Sequence, residues 1–377
     1  MPALVLVSVT GFSGYAALLA VAPAWAVHGG ATEAGAGLVN GALLLATVCT
    51  QLFVPRLVRA YGTARVVIAG LVLMGLAAPA YALSDALGPI LAWSAVRGAG
   101  FGILTVMGST IVAQLVPADR RGEAIGVYGL AVAVPNLLLL PGSVVVVERF
   151  GFGWAFAVAA LPLLGVPAAV ALGHRLPAEE PFRDGDDIGT DRRTVVALLR
   201  PTLILFAVTM GGGALLTFAP QLGVDATEAA ITLLVFGVGT ALSRWLVGSL
   251  ADRYGAQRFL APLLVLCATG LSLCGWAVVR GDALLLIAGA LVVGPAYGAL
   301  QNLTLVIAFA QVSAQRIPTA SAVWNIGFDA GTASGSVLVG AIAAASSFGV
   351  AFAVLAGTVV AALALIRLPA TRVPSAH

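Results

Sequence analysis

Apolar runs of about twenty residues follow one another along almost the whole chain, separated by short polar breaks. Read between those breaks, the runs fall at 3–26, 37–58, 65–83, 89–115, 122–146, 152–172, 199–219, 228–250, 258–279, 283–309, 318–344 and 349–367. At about 1.5 Å of helix rise per residue, each is long enough to cross a hydrocarbon core of roughly 30 Å. The opening run resembles a signal peptide in apolarity, but it lacks a basic leading region and merges into a longer run, so it is read as the first helix. The only long polar stretch is His174 to Arg193, which holds Glu179, Glu180, Asp184, Asp186, Asp187 and Asp191 among basic and titratable groups. It lies midway and reads as a linker. The expected architecture is therefore an all-α polytopic membrane protein of twelve transmembrane helices. Residues 1–173 form one six-helix bundle, 174–198 the linker and 199–377 a second bundle.

Composition agrees. Of the 377 residues, 60% are hydrophobic and 9% charged, whereas a soluble domain carries roughly 25% charged residues to cover its surface. All 19 basic residues are Arg. With the richness in Ala, Gly, Val and Leu, this reads as the codon bias of a GC-rich bacterium, hence a multi-pass protein of its inner membrane. A net charge of +3 gives no reason to expect a nucleic-acid partner. Orientation follows from where the arginines fall: with the N-terminus inside, fifteen lie in cytoplasmic segments and only Arg149 and Arg280 in outer loops. That places both termini and the linker in the cytoplasm. Cys49, Cys267 and Cys274 all lie within spans and are expected as free thiols. His28, His174 and His377 are scattered, and no metal-ligand spacing, nucleophile elbow or phosphate loop occurs. An enzyme, a cofactor, a metal site and ATP-driven pumping are accordingly not expected.

The two halves repeat. Ala-Tyr-Gly-Thr-Ala-Arg at 60–65 matches Arg-Tyr-Gly-Ala-Gln-Arg at 253–258, and Arg97-Gly98-Ala99-Gly100-Phe101-Gly102 lines up with Val293-Gly294-Pro295-Ala296-Tyr297-Gly298, at offsets of 193 and 196. Parallel halves of this kind imply a pseudo-two-fold axis along the membrane normal. The most specific motif is Gly248-Ser-Leu-Ala-Asp252-Arg253-Tyr-Gly255-Ala-Gln-Arg258, in the turn between spans eight and nine. Gly255 permits a tight reversal, and Asp252 and the arginines can pair with one another or with a neighbouring helix end. This stretch resembles the signature loop of the major facilitator superfamily, Gly-x-x-x-Asp-Arg-x-Gly-x-x-Arg. Among its subgroups the chain is most similar to the sugar-efflux and drug-efflux permeases. The resemblance implies rocker-switch alternating access, with Gly248, Asp252, Arg253, Gly255 and Arg258 in a cytoplasmic gate, joined by Arg59 and Arg65 from the first copy. That copy, Pro55-Arg-Leu-Val-Arg59-Ala60-Tyr-Gly62-Thr-Ala-Arg65, carries Arg59 where the family has an acid. The gate is therefore expected to be asymmetric. The fifth-span signature of family antiporters is also degraded, to Gly129-Leu-Ala-Val-Ala-Val-Pro135-Asn136.

Arg97, Arg244 and Asp329 are charges within spans, each costing ~2.5–3.5 kcal/mol on insertion scales. Arg97 matches the family's fourth-span arginine, which implies proton coupling; a tie to backbone carbonyls is the structural alternative. Arg244 lies near the cytoplasmic end of its span and is expected to snorkel. Asp329 falls on a stripe with Ser321, Asn325, Thr332 and Ser336, beside a small face of Gly327, Gly331 and Gly335. It is either a proton site lining the path or a salt-bridged partner in a packing face. Tyr297, Gln301 and Thr304 form a second stripe in span ten, and Asn40, Thr47 and Gln51 a third in span two. By analogy with cavity-lining spans of the family, Tyr15, Arg97, Tyr297, Gln301 and Asn325 are candidate substrate contacts. Gly211-Gly212-Gly213 is either a hinge or a close-packing face. The expected function is secondary active transport, proton-coupled efflux of a drug-like or sugar-like compound by a functional monomer. Uptake of a small anion, or a non-transporting sensor of the same fold, is the alternative.

Overall fold

A computed structural model of the chain describes residues 1–31, 33–174, 192–219, 222 and 226–367. The acidic run of the expected linker and the C-terminal residues from 368 on lie outside the described residues. Among the described residues every regular element is helical. Twelve spans are long and apolar enough to cross a membrane: Pro2–His28, Leu38–Tyr61, Thr63–Leu83, Leu87–Leu115, Ala118–Phe150, Phe152–Gly173, Thr194–Phe218, Thr227–Tyr254, Gln257–Arg280, Ala283–Ala310, Ala314–Ala343 and Phe348–Ile366. Numbered one to twelve, they match the expected runs with no boundary moving by more than five residues. Large apolar side chains point outward along them: Leu45, Leu138, Leu284 and Val337 are each at least 66% exposed. Water would penalise such a surface and hydrocarbon does not.

Proline accompanies the breaks in spans one and six. Pro23 has no N–H to give the carbonyl of Leu19, four residues back. Span one accordingly divides into helices Pro2–Leu19 and Val21–His28. The side chain of Asn40 supplies the missing donor, its Nδ2 reaching Leu19 O at 2.9 Å. In span six, a 3₁₀ stretch, Leu161–Gly165, with Pro162 in its first turn, stands between two short α-helices, the second of which carries Pro167 in its own first turn.

The chain resolves into two compact units, Met1–Leu115 with Ala131–Asp186, and Val116–Leu130 with Asp187–His377. The first is cored by Leu18, Tyr81, Ile90 and Phe156. The second is cored by Leu260, Leu271, Leu300 and Phe352. Residues 116–130, in the first bundle by sequence, group with the second unit.

Within each unit the sequence repeat recurs as atomic contacts. In the first, Thr47 Oγ1 donates to Leu43 O in its own span and to Gly98 O in span four. In the second, Thr240 Oγ1 does the same to Phe236 O and to Gly294 O in span ten. A Cβ on Gly98 or Gly102 would strike the carbonyls of Leu43 or Thr47, and one on Gly294 or Gly298 those of Phe236 or Thr240. Both pairs of spans thus approach at backbone distance across small residues. The loop glycines repeat too: Gly62 has φ +82° and Gly255 φ +85°, conformations that a side chain disfavours.

Candidate functional site

The N-terminal turn of span five and the signature loop meet within the second unit. A helix leaves its first N–H groups without intrahelical acceptors, and its dipole makes that end positive. The helix Arg121–Phe150 is completed there by Asp252: Gly122 N–H donates to Oδ1 at 2.8 Å and Glu123 N–H to Oδ2 at 2.9 Å. The approach requires glycine on both sides, because a Cβ on Gly248 would strike Gly122 O and one on Gly122 would strike Gly248 O. Asn302 of span ten ties the contact together, its Nδ2 donating to Gly122 O at 3.1 Å and to Arg244 O at 2.8 Å. Of the two partners expected for Asp252, a basic side chain or a helix end, it takes the helix end. Arg253 and Arg258 are exposed, and Arg253 lies over the ring of Tyr254 at 5.1 Å. Arg59 and Arg65 in the first unit are also exposed, with Arg59 Nε reaching Pro55 O one turn back.

One turn deeper, Gly126 lies against the backbone of Arg244 and Trp245, and Gly129 against the Arg244 side chain. Arg244 does not snorkel outward. Its Nη1 donates to Gln301 Oε1 at 3.1 Å, and Tyr128 and Tyr297 lie near enough to act on it electrostatically. The expectation fails because the glycine face of span five admits the side chain inward, where Gln301 offers an acceptor.

Arg97, 1% exposed, is held in the first unit. Its Nη2 donates to Gly14 O at 3.1 Å and Tyr15 O at 3.4 Å, and its Nη1 to the Tyr81 hydroxyl, itself 2.7 Å from Ser94 Oγ. This geometry is the tie to backbone carbonyls. Tyr15 is half-buried and its ring stacks on Phe101 with centroids 4.0 Å apart.

In the second unit Tyr297 is 4% exposed. Its ring lies on Gly212, where a Cβ would collide with it, and its hydroxyl bonds the Thr332 side chain. Gly213 is pressed in the same way on Thr332 O. The glycine triplet is therefore a close-packing face inside a helix that runs from Arg192 to Phe218. Gly331 and Gly335 of span eleven abut Phe206 and Met210 of span seven, as their spacing suggested. Asn325 is 8% exposed and turns its Nδ2 back to Ser321 O at 2.8 Å. Asp329 is half-buried and acts electrostatically on Tyr297. The structure thus brings Tyr297, Gln301 and Arg244 together and holds Asn325 and Asp329 on the neighbouring span.

Gly122 and Tyr128 were not singled out from sequence, and Arg244 was expected to snorkel. The spacing Gly122, Gly126, Gly129 carried a signal: at i, i+4 and i+7 the three lie on one helix face.

The family model described as Major Facilitator Superfamily matches residues 3–220 and 202–377. An uncharacterized MFS-type transporter, YtbD of Bacillus subtilis, is 27% identical over 46% of the chain. A chloramphenicol resistance protein of Streptomyces lividans is 29% identical over 48%. The chain spans less than half the length of these relatives, 45% and 46%. Among solved structures, the proton:xylose symporter XylE bound to 6-bromo-6-deoxy-D-glucose superimposes with a TM-score of 0.74 at 14% identity, covering 97% of this chain and 94% of that one.

Proposed function

The chain belongs to the major facilitator superfamily, a family of transporters and not of enzymes, and from that premise we propose that it exports a small drug-like or sugar-like solute by alternating access driven by protons. The moving bodies are the halves 1–173 and 199–377, acting as a monomer in the inner membrane of a GC-rich bacterium. One observation carries the reading: the Asp252 carboxylate caps a helix that the sequence places in the other half. Two or three hydrogen bonds across a glycine contact hold firmly yet part without unpacking a core, which suits a gate that opens every cycle. The first loop copy, with Arg59 for the acid, makes the gate one-sided. Export is supported by likeness to a chloramphenicol resistance protein. Asp329 is the coupling carboxylate, and Tyr15, Arg97, Tyr297, Gln301 and Asn325 line or brace the solute path.

Proteoliposomes containing the purified chain test this directly. Labelled chloramphenicol and xylose are offered with and without an imposed pH gradient. Accumulation of either against its concentration, present with the gradient and lost when it is dissipated, is the expected result. Movement indifferent to the gradient would remove proton coupling, and no movement of chloramphenicol, of xylose or of the acids benzoate and gluconate offered in the same way would remove export.

A further inference from the structure

We propose that Arg244, Gln301 and Tyr128 form a binding site for a carboxylate group on the transported solute, a substrate class that rests on the transporter reading above. The cluster has a surplus of donors. Arg244 Nη1 takes the Oε1 acceptor of Gln301, which leaves Gln301 Nε2 buried with no partner, as is Arg244 Nε. Gln301 is 2% exposed and Tyr128 5%. Among the described residues no carboxylate stands within ion-pair distance of Arg244, and the titratable groups near it are the uncharged phenols of Tyr128 and Tyr297. A half-buried guanidinium whose buried Nε has no acceptor, beside an idle amide donor, is a site that lacks an anion.

The other unit supplies the control. By the repeat offsets, Arg244 corresponds to Gln51 and Gln301 to Thr105. That neutral pair makes the equivalent bridge, Gln51 Nε2 to Thr105 Oγ1 at 3.2 Å. Joining the two spans at this level therefore needs only a hydrogen bond. The positive charge is additional, and packing does not account for it.

Geometry narrows the anion. With Nη1 committed to Gln301, the remaining fork of the guanidinium is its Nε/Nη2 edge. Two parallel N–H groups match the two oxygens of a planar carboxylate. Gln301 Nε2, buried with no partner, is left as a further donor beside it. A drug-like or sugar-like acid fits this site better than a neutral compound.

The test is thermal denaturation of the purified full-length chain with benzoate and gluconate, and with benzamide and glucose as neutral counterparts. At least one acid should raise Tm while its neutral counterpart does not. Arg244→Gln copies the residue that stands at the equivalent place in the first unit. It should fold, and should weaken binding of that acid about tenfold or more. Gln301→Leu and Tyr128→Phe, should Arg244→Gln fail to fold, are each expected to weaken it severalfold. Stabilisation by neither acid overturns the site, as does unchanged affinity in the variants. Tighter binding of inorganic phosphate than of either acid would overturn the carboxylate assignment. Acid binding that depends on Arg244 in a protein that moves no solute in proteoliposomes would leave the site standing and remove the transporter reading.

Discussion

Asp252 and Arg59 occupy equivalent positions in two copies of one loop and make opposite kinds of contact. Asp252 accepts two backbone N–H bonds from a helix end, whereas Arg59 is exposed and turns back on its own helix at Pro55. Charged caps at helix N-termini are worth ~1–2 kcal/mol. Asp252→Asn keeps the shape but replaces an ionised acceptor with a neutral one. It should shift the gate toward open by several-fold, read as faster labelling by a maleimide of a cysteine placed at Ala251, which already carries a Cβ and is 5% exposed, in inside-out vesicles. Arg59→Ala should leave that rate within a factor of about two, as expected of an exposed side chain. The reverse ranking would show that the degraded loop is the functional latch. Asp329 poses the second question at this scale. Asp329→Asn should abolish gradient-driven transport while solute binding and passive exchange persist, measured side by side in proteoliposomes. Transport against a gradient by that variant would return Asp329 to a packing role.

Spans two and four, and spans eight and ten, are welded by glycine in the same pattern. Where a Cβ must displace a backbone carbonyl, nothing flexible can yield, and overpacking of this kind costs ~1–3 kcal/mol. Gly98→Ala and Gly294→Ala should therefore lower Tm by similar amounts, since the carbonyls of Leu43 and Phe236 stand at equivalent places. Gly142→Ala, with nothing near the added methyl, should be neutral or slightly stabilising. Thermal denaturation in detergent compares all three. A large asymmetry between the first two would mean that the repeat is geometric but not energetic.

For the molecule as a whole, orientation rests on the arginine distribution, fifteen on one side against two. Translocating arginine across the bilayer is disfavoured, so the dense side is expected to face the cytoplasm. Gly185→Cys and Ser375→Cys should resist a membrane-impermeant maleimide applied to intact cells and react once the cells are permeabilised. Labelling of either from outside would invert the topology, and with it the side on which Asp252 closes the path.

The sequence alone determined the twelve spans, the internal repeat and the two tight loop turns. These are local consequences of lipid as solvent: each helix must satisfy its own backbone and present apolar residues over a fixed length, so each can be read without its neighbours. The loop turns follow from glycine at one position in each copy. What the sequence left open was the facing of the helices. In a soluble protein an apolar stripe marks the inner face, but in lipid both faces are apolar and the stripe carries little information. Tertiary structure therefore decided that Asp252 takes the end of span five, where a basic side chain was equally open to it. It also set Arg97 on the carbonyls of Gly14 and Tyr15, and closed the glycine triplet of span seven against Tyr297 and Thr332. Arg244 turned inward for the same reason. Whether a long cationic side chain reaches for water or for a buried acceptor depends on the helix beside it, and that helix was Gly126 and Gly129 of span five, more than a hundred residues away in the chain.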